Sequence, residues 1–447
     1  MISLKPLKYK LLGNICTGMN LRVLVLASLF VFAFNSCCKS NNGKKADTQV
    51  PVLQMEQPSS QDLTKKKSGN PPKTQAPKTP AKKDSSLQPI SYKIQKVRIN
   101  PKTSRLYSES ARLLAGLKVP RKSQFYKWSV QRTYLRYKKY SDDLWRLFQA
   151  PNIRKIRRWR KVNLPKNYNS TIFYPFSGPD VINMIAFFPN AQNYIMFGLE
   201  KPGVIPKPHK LPFWKALSEL WTLHQAMHSI LRVNFFKTKK MARDLGSSTF
   251  SGTTGIMMFF LAKLEYQVMD VRQIWIDSKG RVVVSTSKAK GKNWIPGIEI
   301  SFQQSKNAPM QRIRYFSVNV KNPMLKSHHN FTRFLNGQKP FTTMIKSASY
   351  LLHFDSRYSK IRDLILDNSD SILQDDSGVP IRHFTASKWN ITYFGHYIRP
   401  IRFFAGLYQK VLRRNMAKQS KGRLPFSYGY DYKKGQSNLI YTNKIKG

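Results

Sequence analysis

Cysteine is nearly absent from this chain of 447 residues: the three present are Cys16, Cys37 and Cys38, so residues 39–447 have none. That excludes a thiol nucleophile, a zinc–cysteine centre and an internal disulfide from most of the chain, and leaves stability to an ordinary apolar core. Acidic residues are scarce too, 22 Asp and Glu against 77 Lys and Arg, for a formal net charge of +55. Long apolar runs are missing. Residues 23–36 and 256–264 are apolar but short of the ~20 residues a comfortable membrane span needs. No GxSxG elbow, Rossmann glycine fingerprint or Gly-Lys-Ser/Thr phosphate loop is present, and no cofactor is expected.

The surplus of bases is not a tail effect. Residues 1–36 carry Lys5, Lys8, Lys10 and Arg22 with no acid, and residues 37–95 hold eleven Lys against four acids, which leaves +44 on residues 96–447. A body this basic repels itself and attracts polyanions. Residues 39–95 are rich in Lys, Pro, Ser, Gln and Thr. Such a stretch buries too little apolar surface to offset the entropy of ordering, so it reads as a solvated, locally polyproline-like tether.

Arg22 leads into the apolar residues 23–36, which end Phe34, Asn35, Ser36 before Cys37. An apolar segment this short, with a basic start, has the form of an export signal. It resembles a bacterial lipoprotein signal peptide with its lipobox. Ser36 and Cys37 match that motif, whereas Phe34 and Asn35 replace the commoner Leu and small residue. The resemblance implies cleavage before Cys37 and lipidation of its thiol, with Met19 an alternative start. Three acyl chains hold a protein on a bilayer where one binds only marginally. Cys38, in place of the Asp that retains lipoproteins at the inner membrane of enteric bacteria, implies sorting to the outer membrane. The same residues leave an uncleaved anchor or a non-lipidated signal as alternatives.

Three segments follow: the signal 1–36, the lipidated cysteine with its tether 37–95, and a basic globular region 96–447, one large or two closely packed domains. The globular region reads as α+β, helical in its N- and C-terminal parts around a central antiparallel sheet. Helices are expected over 104–117, 122–149, 212–235, 341–352, 358–368 and 400–414. Short strands are expected at 172–176 and 194–199. A four-stranded meander is expected over 268–277, 281–287, 297–303 and 312–320, with Asp277, Ser278, Lys279 and Gly280 as a hairpin turn.

Several residues have chemical potential. The run Arg154, Lys155, Arg157, Arg158, Arg160 and Lys161, interleaved with Ile156 and Trp159, suits polyanion capture or a plain solvated face. Ser177 and Asp180 flank Pro179 at a strand-to-helix turn and have the spacing of a capping box. His224 and His228, four apart, share a helix face and are metal-ligand candidates, but the glutamate of an H-E-x-x-H peptidase is Gln225 here. In so basic a chain, the acids around His353 stand out: Asp355, Asp363, Asp370, Asp375 and Asp376, with Arg382 nearby. Carboxylates beside a histidine suit acid–base chemistry, or equally ion pairs with arginine. Residues 174–180 and 373–380 resemble segments of uncharacterised bacterial envelope proteins, a resemblance that implies no activity.

The expected role is therefore non-catalytic: binding an anionic envelope component, or serving as a structural or assembly lipoprotein. The partners are a membrane reached through the lipid anchor, an anionic lipid, lipopolysaccharide or cell-wall polymer, and an envelope protein complex; an exported protein is not expected to meet intracellular nucleic acid. The alternatives are an envelope hydrolase using His353, Asp355, Asp375 and Asp376, or Ser177, and a subunit of a secretion or gliding-type surface machine.

Overall fold

The computed structural model describes residues 99–234, 245–246, 248–284, 291, 293–430 and 437–445. The signal 1–36, the lipidation candidate Cys37 and the tether 37–95 lie outside the described residues. The fold is α+β, with twelve α-helices among the described residues and a ten-stranded mixed sheet.

The first part is helical: α1 (Pro101–Leu114), α2 (Tyr126–Ser129), α3 (Arg132–Leu144), a π-helical turn (Trp145–Gln149) and α4 (Ala150–Asn163). Asn100 caps α1, its side-chain oxygen accepting from the Lys102 and Thr103 amides at 3.0 and 3.3 Å, and Pro101 takes a first-turn position that needs no donor. Next come β1 (Thr171–Tyr174), α5 (Val181–Phe187), β2 (Asn193–Gly198), α6 (Phe213–Ala226), α7 (His228–Val233) and α8 (Thr254–Lys263). The chain continues through β3 (Gln267–Ile276), β4 (Val282–Val283), β5 (Ile295–Gln303) and β6 (Gln311–Ser317). It ends with α9 (Asn322–Ser327), α10 (His329–Asn336), β7 (Phe341–Ile345), α11 (Asp355–Asn368), β8 (Ser369–Gln374), β9 (Trp389–Gly395), α12 (Lys410–Gln419) and β10 (Asn438–Lys444).

The sheet order is β4-β3-β5-β6-β2-β1-β7-β8-β10-β9. Five of the nine pairings are antiparallel: β3 with β4 and β5, β5 with β6, and β10 with β8 and β9. The expected meander is there, except that β4 pairs on the outer side of β3 instead of between β3 and β5, and the rest of its expected span, 285–287, lies outside the described residues. The middle of the sheet is parallel: β6, β2, β1, β7 and β8 run the same way. Residues 341–345, expected as helix, form β7, all five of whose residues are buried. An apolar run covered on both faces has no alternation to mark it as a strand. The helix expected over 400–414 is a 3₁₀ turn, Arg402–Leu407, followed by α12.

Helices cover both faces. Ile172 and Tyr174 of β1 face one core with α5 and α8, while Phe173 faces the other with α10 and α11. The crossover from β1 to β2 passes through α5 on the first face, and that from β7 to β8 through α11 on the second. The two crossovers move in opposite directions along the sheet, so the right-handed rule puts their helices on opposite faces. The direction of winding thus reverses between β1 and β7. Such a switch point opens a crevice beyond the carboxyl ends of the strands, the usual ligand position in open parallel sheets.

Candidate functional site

The residues that follow the parallel strands gather at that switch point. Beyond β1, Asp180 caps α5, accepting from the Asn183 amide at 3.2 Å. The helix therefore starts at Val181, three residues later than a Ser177 cap would place it. Asp180 also accepts from the Asn183 side chain at 2.9 and 3.0 Å and from the Tyr174 hydroxyl at 3.0 Å. Directly after β7, the Lys346 ammonium lies 3.3 Å from Asp180 and donates to the Asn234 carbonyl. Both charged side chains are almost wholly buried.

Beyond β8 come Asp375 and Asp376, both buried. Asp375 accepts from the Ser347 amide at 2.9 Å, the Ser377 amide at 3.1 Å and the Ser377 hydroxyl at 2.5 Å. Asp376 accepts from the Tyr350 hydroxyl and, at 2.8 Å, from the Asn438 side chain of β10. The Tyr428 hydroxyl donates to the last carbonyl of β7, Ile345, at 3.2 Å. Gly429 packs on Asp375 so closely that a Cβ there would collide with the carboxylate, and its φ of 70° also favours glycine. Glu200, just past β2, accepts from the Tyr315 hydroxyl at 3.1 Å.

Burial sets the protonation of this cluster. It pushes the Asp375 carboxyl up, against the Ser377 and Ser347 hydrogen bonds and the Lys346 charge that pull it down. Burial, and then the neighbouring Asp375, raise Asp376 to about 7. Tyr174 and Tyr428 are pushed well above the ordinary phenol range, chiefly by burial. His353, lowered by burial to about 4, approaches the site through its ring Nε2, 3.2 Å from the Asp376 carbonyl, and through an edge-on contact with Tyr350 at a centroid distance of 5.1 Å. The backbone here is strained: Phe176, Asn234, Ser347, Ser349 and Tyr350 are non-glycine residues with φ between 51° and 62°. Strain of this kind persists only where the surroundings enforce it, and it concentrates at functional sites.

The structure thus brings Asp375, Asp376 and His353 together and leaves Asp355 out. The Asp355 side chain is 63 % exposed, pairing with Arg362 and, at 3.3 Å, with Arg382. Ser177 lies buried in the turn after β1, its hydroxyl donating to the Gly178 carbonyl at 2.8 Å. Lys346, Asn183, Asn234 and Tyr350 belong to the cluster without any sequence motif; Lys346 shows only as a charge directly after the apolar run 341–345. His224 is buried in an aromatic cage, with Tyr140, Tyr137 and Phe259 ring centroids 5.0, 6.0 and 6.0 Å away, and burial lowers it to about 4. His224 therefore belongs to the helical core, and His228, at the start of α7, is half-buried. Among the described residues, no three His, Asp or Glu side chains are grouped to hold a metal ion.

The basic run lies on α4. Ile153 and Ile156 are its buried anchors, and the half-buried Trp159 packs on Phe394 and Phe426 at centroid distances of 4.8 and 5.4 Å. Arg154, Lys155, Arg158 and Lys161 are exposed, and Arg157 and Arg160 half-buried, with Arg160 5.9 Å over the Tyr168 ring. None of the six has an acidic ion-pair partner among the described residues.

No protein-family model matches the chain, and no curated protein matches it.

Proposed function

We propose that this chain is an exported, lipid-anchored envelope protein, held at the outer membrane through Cys37, whose folded body captures an anionic envelope component. The supporting observation is α4: two apolar anchors fix it to the core, and four of its six bases, Arg154, Lys155, Arg158 and Lys161, are exposed with no acidic ion-pair partner among the described residues. Elsewhere acids are drawn into pairs with bases, as where Glu299 on β5 meets Arg314 at 2.7 Å and Arg312 at 3.4 Å. A face left uncompensated in this way holds polyanions by releasing their counterions, which makes binding salt-sensitive. Lipopolysaccharide, with clustered phosphates, is the probe of choice.

The triple substitution Arg154→Gln, Arg158→Gln, Lys161→Gln in the full chain should lower affinity for lipopolysaccharide by about 150-fold, at roughly 1 kcal/mol per lost base. The slope of log affinity against log salt should fall with it. Binding measured over a sodium chloride series reads both. Affinity unchanged by the triple substitution, or by salt, ends the proposal.

One observation favours a second reading, an envelope hydrolase at the switch point. The Asp376 carboxyl, raised to about 7, holds a proton near neutrality and so has the acidity a general acid requires. Dye release from labelled peptidoglycan by the full chain, abolished in Asp376→Asn while lipopolysaccharide binding persists, would support it. A wild-type chain that releases no dye excludes it for that substrate.

A further inference from the structure

Residues 396–426 contain no Asp or Glu and eight bases: Arg399, Arg402, Lys410, Arg413, Arg414, Lys418, Lys421 and Arg423. All eight are exposed, and none has an acidic ion-pair partner among the described residues. In the same segment, large apolar side chains face outward: Phe403 at 72 % exposure, Val411 at 52 %, and Ile398 and Tyr408 at 43 %. Scattered exposed apolar residues are ordinary, but a cluster of them ringed by one sign of charge marks an interaction surface.

The local geometry divides the two kinds of contact. In the 3₁₀ turn Arg402–Leu407 no residue is buried. Phe404 turns inward and packs on Tyr350, the partner of Asp376, with ring centroids 4.7 Å apart. Phe403 packs edge-on against Phe404 at a centroid distance of 4.9 Å and leaves most of its surface in water. One ring anchors the turn to the folded body while its neighbour is held out in water. In α12, Leu412 and Met416 face the core, and Val411, Arg414 and Lys418, at positions i, i+3 and i+7, share an exposed face. An aromatic tip with an apolar residue and a belt of bases is the pattern of elements that lie in a membrane interface, the ring among the acyl chains and the bases at the phosphates.

We infer that residues 396–423 form an interfacial docking element that seats the folded body on an anionic phospholipid bilayer, with Phe403 as the inserted residue. This goes beyond the capture of an envelope component by α4, using a different surface and a different ligand, and it rests on the envelope location proposed above. Charge complementarity selects the occupant: a surface with eight bases and no acid favours an anionic headgroup layer and disfavours a second copy of itself.

The test uses the full chain with Cys37→Ser, so that no acyl chain contributes, and co-sedimentation with vesicles of phosphatidylethanolamine and phosphatidylglycerol or of phosphatidylcholine alone. Phe403→Asp should lower partitioning onto the anionic vesicles about tenfold. Arg402→Gln with Arg414→Gln should lower it about 30-fold and flatten its salt dependence, since each base near an anionic surface contributes about fivefold. The α4 triple variant should bind these vesicles like wild type, so failure of one surface is distinguishable from failure of the other. Phe403 is mostly exposed, so its substitution leaves the core intact. Equal partitioning of Phe403→Asp and wild type onto the anionic vesicles overturns the inference, as does equal binding of wild type to both kinds of vesicle.

Discussion

Asp180→Ala is expected to lower stability by about 3–5 kcal/mol, the usual cost of leaving one member of a buried ion pair without its partner. The Lys346 ammonium would keep one carbonyl and lose its only anion within 4 Å among the described residues, at 3.3 Å, in a site with almost no water contact. The same carboxylate caps α5 and accepts from Tyr174, so the alanine also leaves a helix amide and a buried phenol unpaired. Lys346→Met should cost less, because Asp180 retains Asn183 and Tyr174. The double variant Asp180→Asn, Lys346→Met should cost far less than Asp180→Ala, since it removes both charges and keeps a polar group that Tyr174 and the α5 amide can use. Urea midpoints of the four proteins decide it. A loss below about 1 kcal/mol in Asp180→Ala would mean that the pair is solvated and the switch point open to water.

That pair also shows what the sequence makes legible and what it hides. Asp375 and Asp376 stand out because acids are rare here, and contrast alone led to them. Lys346 has no such contrast among 77 bases, so the central cation of the cluster is invisible until β7 brings it beside β1. The antiparallel strands β3, β5 and β6 alternate or are bounded by turns, and were readable. The parallel strands are covered on both faces, so Phe341–Ile345 reads as well as helix as strand. β9 and β10 were not read: Asn390 interrupts one, and Asn438 and Asn443 bound the other, as in a loop. Topology was hidden for a more basic reason. Nothing local in a strand says which neighbour it takes, and the switch point exists only because β7 inserts between β1 and β8, strands far apart in the chain.

The switch point holds its charges almost entirely among themselves, while the exposed bases of α4 and of the 396–423 segment have no acidic ion-pair partner among the described residues. Ser427 links the two, its amide donating to the Asn152 side chain of α4 at 3.2 Å, and Phe426 packs on Trp159. The two basic surfaces are therefore mechanically joined through residues 426–427. Phe404 and Tyr350 connect the other end of the 396–423 segment to Asp376.

Acid should destabilise this protein through its histidines, and the switch point should oppose the loss. His224 and His353 are both lowered by burial from 6.5 to about 4. Between those values the unfolded chain binds a proton that the folded one refuses, so stability falls as pH drops from about 6.5 to 4, by roughly 3 kcal/mol for each ring. Asp376 acts the other way. Its carboxyl is raised by burial from 3.8 to about 7, so the folded chain holds the extra proton and stability falls as pH rises from about 4 to 7, by roughly 4 kcal/mol. Two substitutions separate the opposing contributions when urea midpoints are compared at pH 4.5 and 7.5. His224→Phe, which keeps a ring among Tyr137, Tyr140 and Phe259, should lessen the acid loss by about 3 kcal/mol at most. Asp376→Asn should deepen it by a similar amount, because the carboxyl that gains its proton in the folded state is gone. If Asp376→Asn instead leaves the difference between the two pH values unchanged, the Asp376 carboxyl is ionised throughout. The hydrolase reading would then lose its proton donor, while the two basic surfaces would stand as before.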